Sequence, residues 1–214
     1  MITIENLSVY YDNIQALNGL SLHWPPGRFV GLHGANGAGK STLLKVCSGI
    51  IRRYEGRVLF RKRPAGENLF SLRQQTYYVP ENADILPYMS GREFLQMIRA
   101  LYGQPAAEEH LEYLLTLSGL REKADDPGHT YSHGMRQKLF IAAALISGAG
   151  CLFLDEAFNG VDQESTEALL SHIRDDFLNP DRLVVISSHQ KSFLEKWQDT
   201  AFKMKNGQQE QGRQ

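Results

Sequence analysis

Gly34-Ala35-Asn36-Gly37-Ala38-Gly39-Lys40-Ser41-Thr42 fits the pattern G-x-x-x-x-G-K-[ST], and it constrains the fold more than any other stretch of the chain. Such a loop works only where a strand delivers it and a helix leaves it. Its glycines let backbone N–H groups turn inward on a polyanion, where a Cβ would obstruct the approach. Lys40 supplies a point charge to the outer phosphates, the Ser41 hydroxyl can ligate Mg²⁺, and the following helix adds the positive end of its dipole. The flanks comply. Arg28–His33 is a short apolar run suited to a buried strand, and Ser41–Ser48 reads as a helix closed by Gly49. Gly34, Asn36, Gly37, Ala38, Gly39, Lys40, Ser41 and Thr42 are therefore the expected cradle for a nucleoside triphosphate.

The rest of the chain falls into thirds. The first is strand-rich: Ile2–Tyr11, Leu20–Trp24 and Arg57–Phe60 alternate by two, with turns at Asp12-Asn13, Pro25-Pro26-Gly27 and Glu55-Gly56. The second is helical. Ser90 and Glu93 make a capping box before the apolar face of Phe94, Leu95, Ile98 and Leu101; a second helix is expected from Pro105 to Gly119, and Ser132 caps a third. The last alternates buried strands, Cys151–Leu154 and Leu183–Ser187, with a helix after Ser165, and ends in a turn at Asn206-Gly207 and a polar tail. This order predicts an α/β P-loop NTPase fold with a mostly parallel core sheet, an antiparallel β subdomain and an inserted helical subdomain. The expected division is 1–80 and 136–214 for the core with its β subdomain, and 81–135 for the helical part.

Composition narrows the class of partners. A formal net charge of -1 gives no global attraction to nucleic acid. The start, Met-Ile-Thr-Ile-Glu-Asn, has neither the cationic lead nor the apolar run of a signal peptide, and the apolar stretch Leu139–Ile146 is too short to span a bilayer. Cys47 and Cys151 read as small buried hydrophobes in a reducing cytosol.

Two carboxylates, Asp155 and Glu156, end the apolar run Cys151–Leu154. A carboxylate at the tip of a buried strand needs compensation, and in a P-loop protein Mg²⁺ at the phosphates is the natural partner for Asp155. Glu156, one residue on, is placed to orient an attacking water. Upstream lies Tyr131-Ser132-His133-Gly134-Met135, just before the third helix.

With these motifs in this order, the chain resembles an ABC transporter ATP-binding subunit over nearly its whole length. The family's signature is usually L-S-G-G-Q; here the serine and second glycine are kept, and His133 stands where a glycine is usual. The resemblance implies that Ser132 and Gly134 address the γ-phosphate of a nucleotide held by another chain. It implies that Tyr11 stacks on adenine, with Tyr10 beside it offering the same ring. Tyr78-Val79-Pro80-Glu81 occupies the loop where a glutamine usually reads the metal site; Glu81 can still ligate Mg²⁺, and adds negative charge. Asn159–Asp162 matches the loop that crosses the dimer interface, where Asp162 can equally cap the next helix. His189, after Ile186-Ser187-Ser188, matches the switch histidine.

The implied protein is an ATPase with ATP and Mg²⁺ as its cofactors. Lys40, Glu156 and His189 are catalytic, and Ser41, Glu81 and Asp155 are the metal ligands. Its partners are a second cassette, identical or different, and a separate transmembrane permease, with no nucleic acid. It would be cytoplasmic, peripheral on the inner face of the cell membrane, and most like exporter-type cassettes. Two alternatives stay open: a non-transport ATPase of the translation or repair type, and a catalytically weak regulatory cassette, the latter motivated by Glu81 and His133. A P-loop small-molecule kinase is a third, and ATP hydrolysis without an acceptor would argue against it. Arg52, Arg53, Arg57, Arg61, Lys62 and Arg63 form a basic patch, read as a solvated face or a contact for lipid headgroups or nucleic acid. The loop Asn82–Met89, apolar at Ile85, Leu86, Pro87, Tyr88 and Met89, suits a groove for a membrane subunit or packing against the helical insert.

Overall fold

The computed structural model of the protein describes residues 1–105, 107–189 and 194–210; the end of the polar tail, 211–214, lies outside the described residues. Contacts divide the chain into two compact units. One comprises Met1–Tyr78, Gly150–Asp155 and Leu178–Gln214, the other Val79–Ala149 and Glu156–Phe177.

The first unit holds two sheets. In the smaller, β1 (Ile2–Tyr11) runs antiparallel to both β2 (Ile14–Trp24) and β4 (Glu55–Phe60), and the short β5 (Arg63–Pro64) pairs with β4. The alternation seen in sequence is the reason for its register: Ile2 and Ile4 face the core with Trp24 and Leu22 opposite, while their neighbours point outward. In the larger sheet the order is β10-β9-β3-β8-β7-β6. Here β3 (Arg28–His33) lies between β8 (Leu183–Ser188) and β9 (Thr200–Lys205), with β7 (Cys151–Asp155) beyond β8; these pairs are all parallel. The edges are β10 (Gln208–Gln209) and β6 (Thr76–Val79). Strands β7 and β8 are buried at every position, as continuous apolar runs in a parallel sheet must be. Leu43, Leu44, Val46 and Cys47 of α1 (Lys40–Cys47) complete one core with residues of both sheets. A short helix, α2 (Leu69–Gln74), begins where the Asn68 side chain accepts from the Ser71 N–H.

Burial pushes the thiols of both free cysteines up, that of Cys151 to about 12, so neither is a nucleophile at neutral pH. The six basic residues from Arg52 to Arg63 are all exposed.

The second unit is helical. Its elements are α3 (Gly91–Leu101), α4 (Glu108–Leu117), α5 (His133–Ile146) and α6 (Gln163–His172), the last extended by a π-helical turn, Ile173–Phe177. Leu95, Leu111, Leu114, Leu115, Leu139, Ile141 and Leu169 are fully buried, and the Phe94 and Phe140 rings meet at 4.9 Å between α3 and α5. The capping box of α3 is closed in both directions, Ser90 N–H to Glu93 and Glu93 N–H to Ser90.

Three expectations need correction. The helix expected from Pro105 begins at Glu108, because the Ala107 N–H turns back to the Pro105 carbonyl and the acidic pair Glu108 and Glu109 supplies the first turn. The strand expected from Leu20 starts at Ile14, since β1 pairs with it through Tyr11. The division at 135/136 falls inside α5, which is continuous from its Ser132 cap to Ile146.

Candidate functional site

Register in the large sheet brings the first unit's chemistry to one end. His33, directly before Gly34, is level with Ser188 of β8, and Ser187 is level with Asp155 of β7. The loop Gly34–Gly39, the Asp155 carboxylate and His189 thus follow the carboxyl ends of three adjacent parallel strands, where such sheets bind ligands.

The loop is held by its own backbone and by the β9–β10 hairpin. Ala38 N–H bonds to Ala35 O at 3.1 Å and Gly207 N–H to Ala38 O at 3.1 Å. Gly39 has φ 98°, and a Cβ there would lie 2.7 Å from the Ala16 carbonyl, so only glycine can start α1 this close to β2. Gly37, at φ 79°, faces open space instead, with no atom within 4 Å of a Cβ position. The loop is therefore pinned at its back and open at its front. Lys40 is 6% exposed, and its ammonium donates to Gly34 O at 2.8 Å and Ala35 O at 3.4 Å. These are the loop's own carbonyls, standing where phosphate oxygens would compete for the same donor.

Asp155 is 1% exposed, and both of its oxygens accept from hydroxyls: Oδ1 from Ser187 at 2.7 Å and Oδ2 from Tyr78 at 2.8 Å. A carboxylate accepts about four bonds, so lone pairs remain for a cation shell. Tyr78 and Ser187 escape a sequence reading, since their meeting with Asp155 depends on which strands are neighbours. Replacing Tyr78 with Phe is expected to raise the divalent-ion concentration needed for half-maximal nucleotide turnover by about 10- to 100-fold. The cost in folding stability should be only about 1 kcal/mol, so thermal unfolding separates the two effects.

Tyr10 and Tyr11 part company at the end of β1. The Tyr11 hydroxyl reaches Thr42 Oγ1 of α1 at 3.5 Å, whereas the Tyr10 hydroxyl accepts from the Gln15 amide at 3.0 Å. Only Tyr11 is tied to the helix that leaves the phosphate loop. His189 is exposed just after β8.

In the second unit, Glu156 opens its segment with φ 49° and is 7% exposed. A non-glycine residue held left-handed is strained, and such strain concentrates at functional sites. Ser132 is exposed, and its hydroxyl caps α5 through the Met135 N–H at 3.2 Å. A Cβ on Gly134 would collide with the Gly160 carbonyl, and the exposed His133 ring lies against Gly160 as well. Asp162 caps α6 through Ser165 N–H at 2.9 Å and pairs with Lys138 at 3.1 Å. The Ser165 N–H, with help from Lys138, holds its carboxyl at about 2. Glu81 is exposed. The loop after it splits: Ala83 and Ile85 are buried, Ile85 against Gly128, while Leu86 and Tyr88 are 64% and 88% exposed.

A glycine-rich loop between β3 and a helix N-terminus, with a buried aspartate two strands away, defines a P-loop nucleotide-binding protein. The family model described as ABC transporter matches residues 17–159, and the chain belongs to that family. It is 37% identical over 155 residues to an ABC transporter ATP-binding protein of Nostoc sp. (strain PCC 7120), covering 71% of this chain and 46% of that one. To the linearmycin resistance ATP-binding protein LnrL of Bacillus subtilis it is 31% identical over 196 residues, covering 88% of this chain and 61% of that protein. The chain thus spans about half the length of these curated relatives. Among solved structures, an ATP-binding subunit of an ABC transporter superposes with a TM-score of 0.91 at 25% identity, covering 99% of this chain and 88% of that one. No helix among the described residues is long and apolar enough to cross a membrane.

Proposed function

We propose that the chain binds and hydrolyses ATP as the energy-supplying cassette of a membrane transporter, of the exporter type. The observation that carries this is the convergence of Lys40, Ser41, Asp155 and His189 at the carboxyl ends of β3, β7 and β8. Lys40 releases its hold on the Gly34 and Ala35 carbonyls to take the outer phosphates, and the start of α1 receives them with its N–H groups. Tyr11 stacks on the adenine ring, and Thr42 lies beside it.

The donor set fits Mg²⁺, which takes oxygen ligands and binds through one or two protein groups plus phosphate and water. Ser41 and the Asp155 carboxylate, steadied by two hydroxyls, would hold it, with Glu81 as a further ligand. When bound, it supplies neutralising charge on the phosphate oxygens. Glu156 orients the attacking water, and His189 contacts the γ-phosphate. Ser132 and Gly134 act on the nucleotide of a second cassette, identical or different, and Asp162 lies on the loop that crosses between the two. Leu86 and Tyr88 offer exposed apolar surface to a separate transmembrane permease. The name of LnrL, a resistance protein, supports the exporter reading, and the cassette would sit on the inner face of the cell membrane.

Extracted from membranes in mild detergent, the chain is expected to bring with it a multi-span membrane protein that raises its acceptor-independent ATP turnover. Recovery with ribosomes or DNA instead, or turnover only when a small-molecule acceptor is added, would overturn the reading.

A further inference from the structure

Three consecutive side chains in the first turns of α5 hold the residue before its cap and two distant segments of the second unit. Arg136 donates to the Tyr131 carbonyl at 2.5 Å, Gln137 to the carbonyls of Pro80 and Glu81, and Lys138 to Asp162 at 3.1 Å and Ser165 at 3.3 Å. Successive residues of an α-helix point about 100° apart, which is why neighbours in sequence can reach different segments. Gln137 is the buried member of this trio, at 0% exposure. Its Nε2 serves both carbonyls, that of Pro80 at 3.3 Å. Its Oε1 is buried with no hydrogen-bond partner among the described residues.

That arrangement fixes the amide's orientation. Exchanging oxygen and nitrogen would set a carbonyl oxygen against two others, so only the observed flip is tenable. An apolar residue would avoid the orphaned oxygen entirely. The amide is justified only if its hold on Pro80 and Glu81 matters.

We propose that Gln137 is a positioning residue that latches the Glu81 loop to the helix bearing Ser132 and Gly134, so that the two move as one piece. The proposal rests on the reading of Glu81, Ser132 and Gly134 given under Proposed function. Gln137 touches no nucleotide; it acts by fixing where the Glu81 backbone lies relative to the start of α5.

Two variants of the full chain test it. Gln137→Met keeps the bulk and removes both donors. Hydrogen exchange over residues 79–84 is expected to quicken by roughly 10-fold, and kcat for ATP to fall about 10-fold with KM within about two-fold. Gln137→Asn keeps the amide but shortens its reach by one methylene, so it should lose both carbonyls and behave as Gln137→Met does. Unchanged exchange over 79–84 in Gln137→Met overturns the latch. So does a loss of kcat fully accounted for by the unfolded fraction. If the parent does not hydrolyse ATP, the functional reading fails instead, and the exchange measurement still decides whether the latch exists.

Discussion

Glu156→Gln is expected to lower ATP turnover by about 10²- to 10⁴-fold while leaving nucleotide affinity near that of the parent. The change removes the charge proposed to orient the attacking water and keeps nearly the same volume. Glu156 sits at φ 49° and is 7% exposed, so a smaller or β-branched replacement would disturb packing or backbone as well as chemistry. Glutamine bears the same backbone strain as glutamate, which makes the comparison a test of chemistry alone. With ATP present and hydrolysis stopped, the variant should accumulate as a dimer. Phosphate release, equilibrium nucleotide titration and size-exclusion chromatography report the three quantities. Undiminished turnover would remove Glu156 from the catalytic role.

Lys40→Ala is expected to act earlier, at binding. A charge-assisted hydrogen bond is worth about 1.5–3 kcal/mol, which corresponds to roughly 10- to 100-fold in affinity. The alanine also leaves the Gly34 and Ala35 carbonyls without the ammonium that now spans them, loosening the loop before any ligand arrives. Fluorescent-nucleotide titration should therefore show weaker binding at every magnesium concentration. Tyr78→Phe, by contrast, should be rescued by more magnesium. Parent-like affinity in Lys40→Ala would show that the loop backbone and helix terminus suffice.

What was legible in the sequence was local. The phosphate loop, the closed box at Ser90 and Glu93, and the caps at Ser132 and Asp162 are each specified by residues within a few positions of one another. Strands β7 and β8 announced themselves as unbroken apolar runs because both faces are covered. What stayed hidden was short or non-local. The six residues of α2 are too few to show a helical period, and the alternation in β9 that buries Phe202 and Met204 spans only two inward positions. Tyr78 and Ser187 stand beside motif residues without a role of their own in the sequence, and only the strand order brings their hydroxyls to Asp155. Gln137 carries no signal of its own in the sequence, because its burial and its two carbonyl partners exist only in the fold.

The contact between Gly134 and Gly160 has no slack on either side. The obstacle to a side chain at 134 is the Gly160 carbonyl, a backbone atom that no substitution at 160 can trim away. Gly160 itself is at φ 76°, which most other residues would resist. A change at 134 therefore has no partner change to offset it. Position 134 is thus closed to a side chain by backbone on one face and by a left-handed glycine on the other.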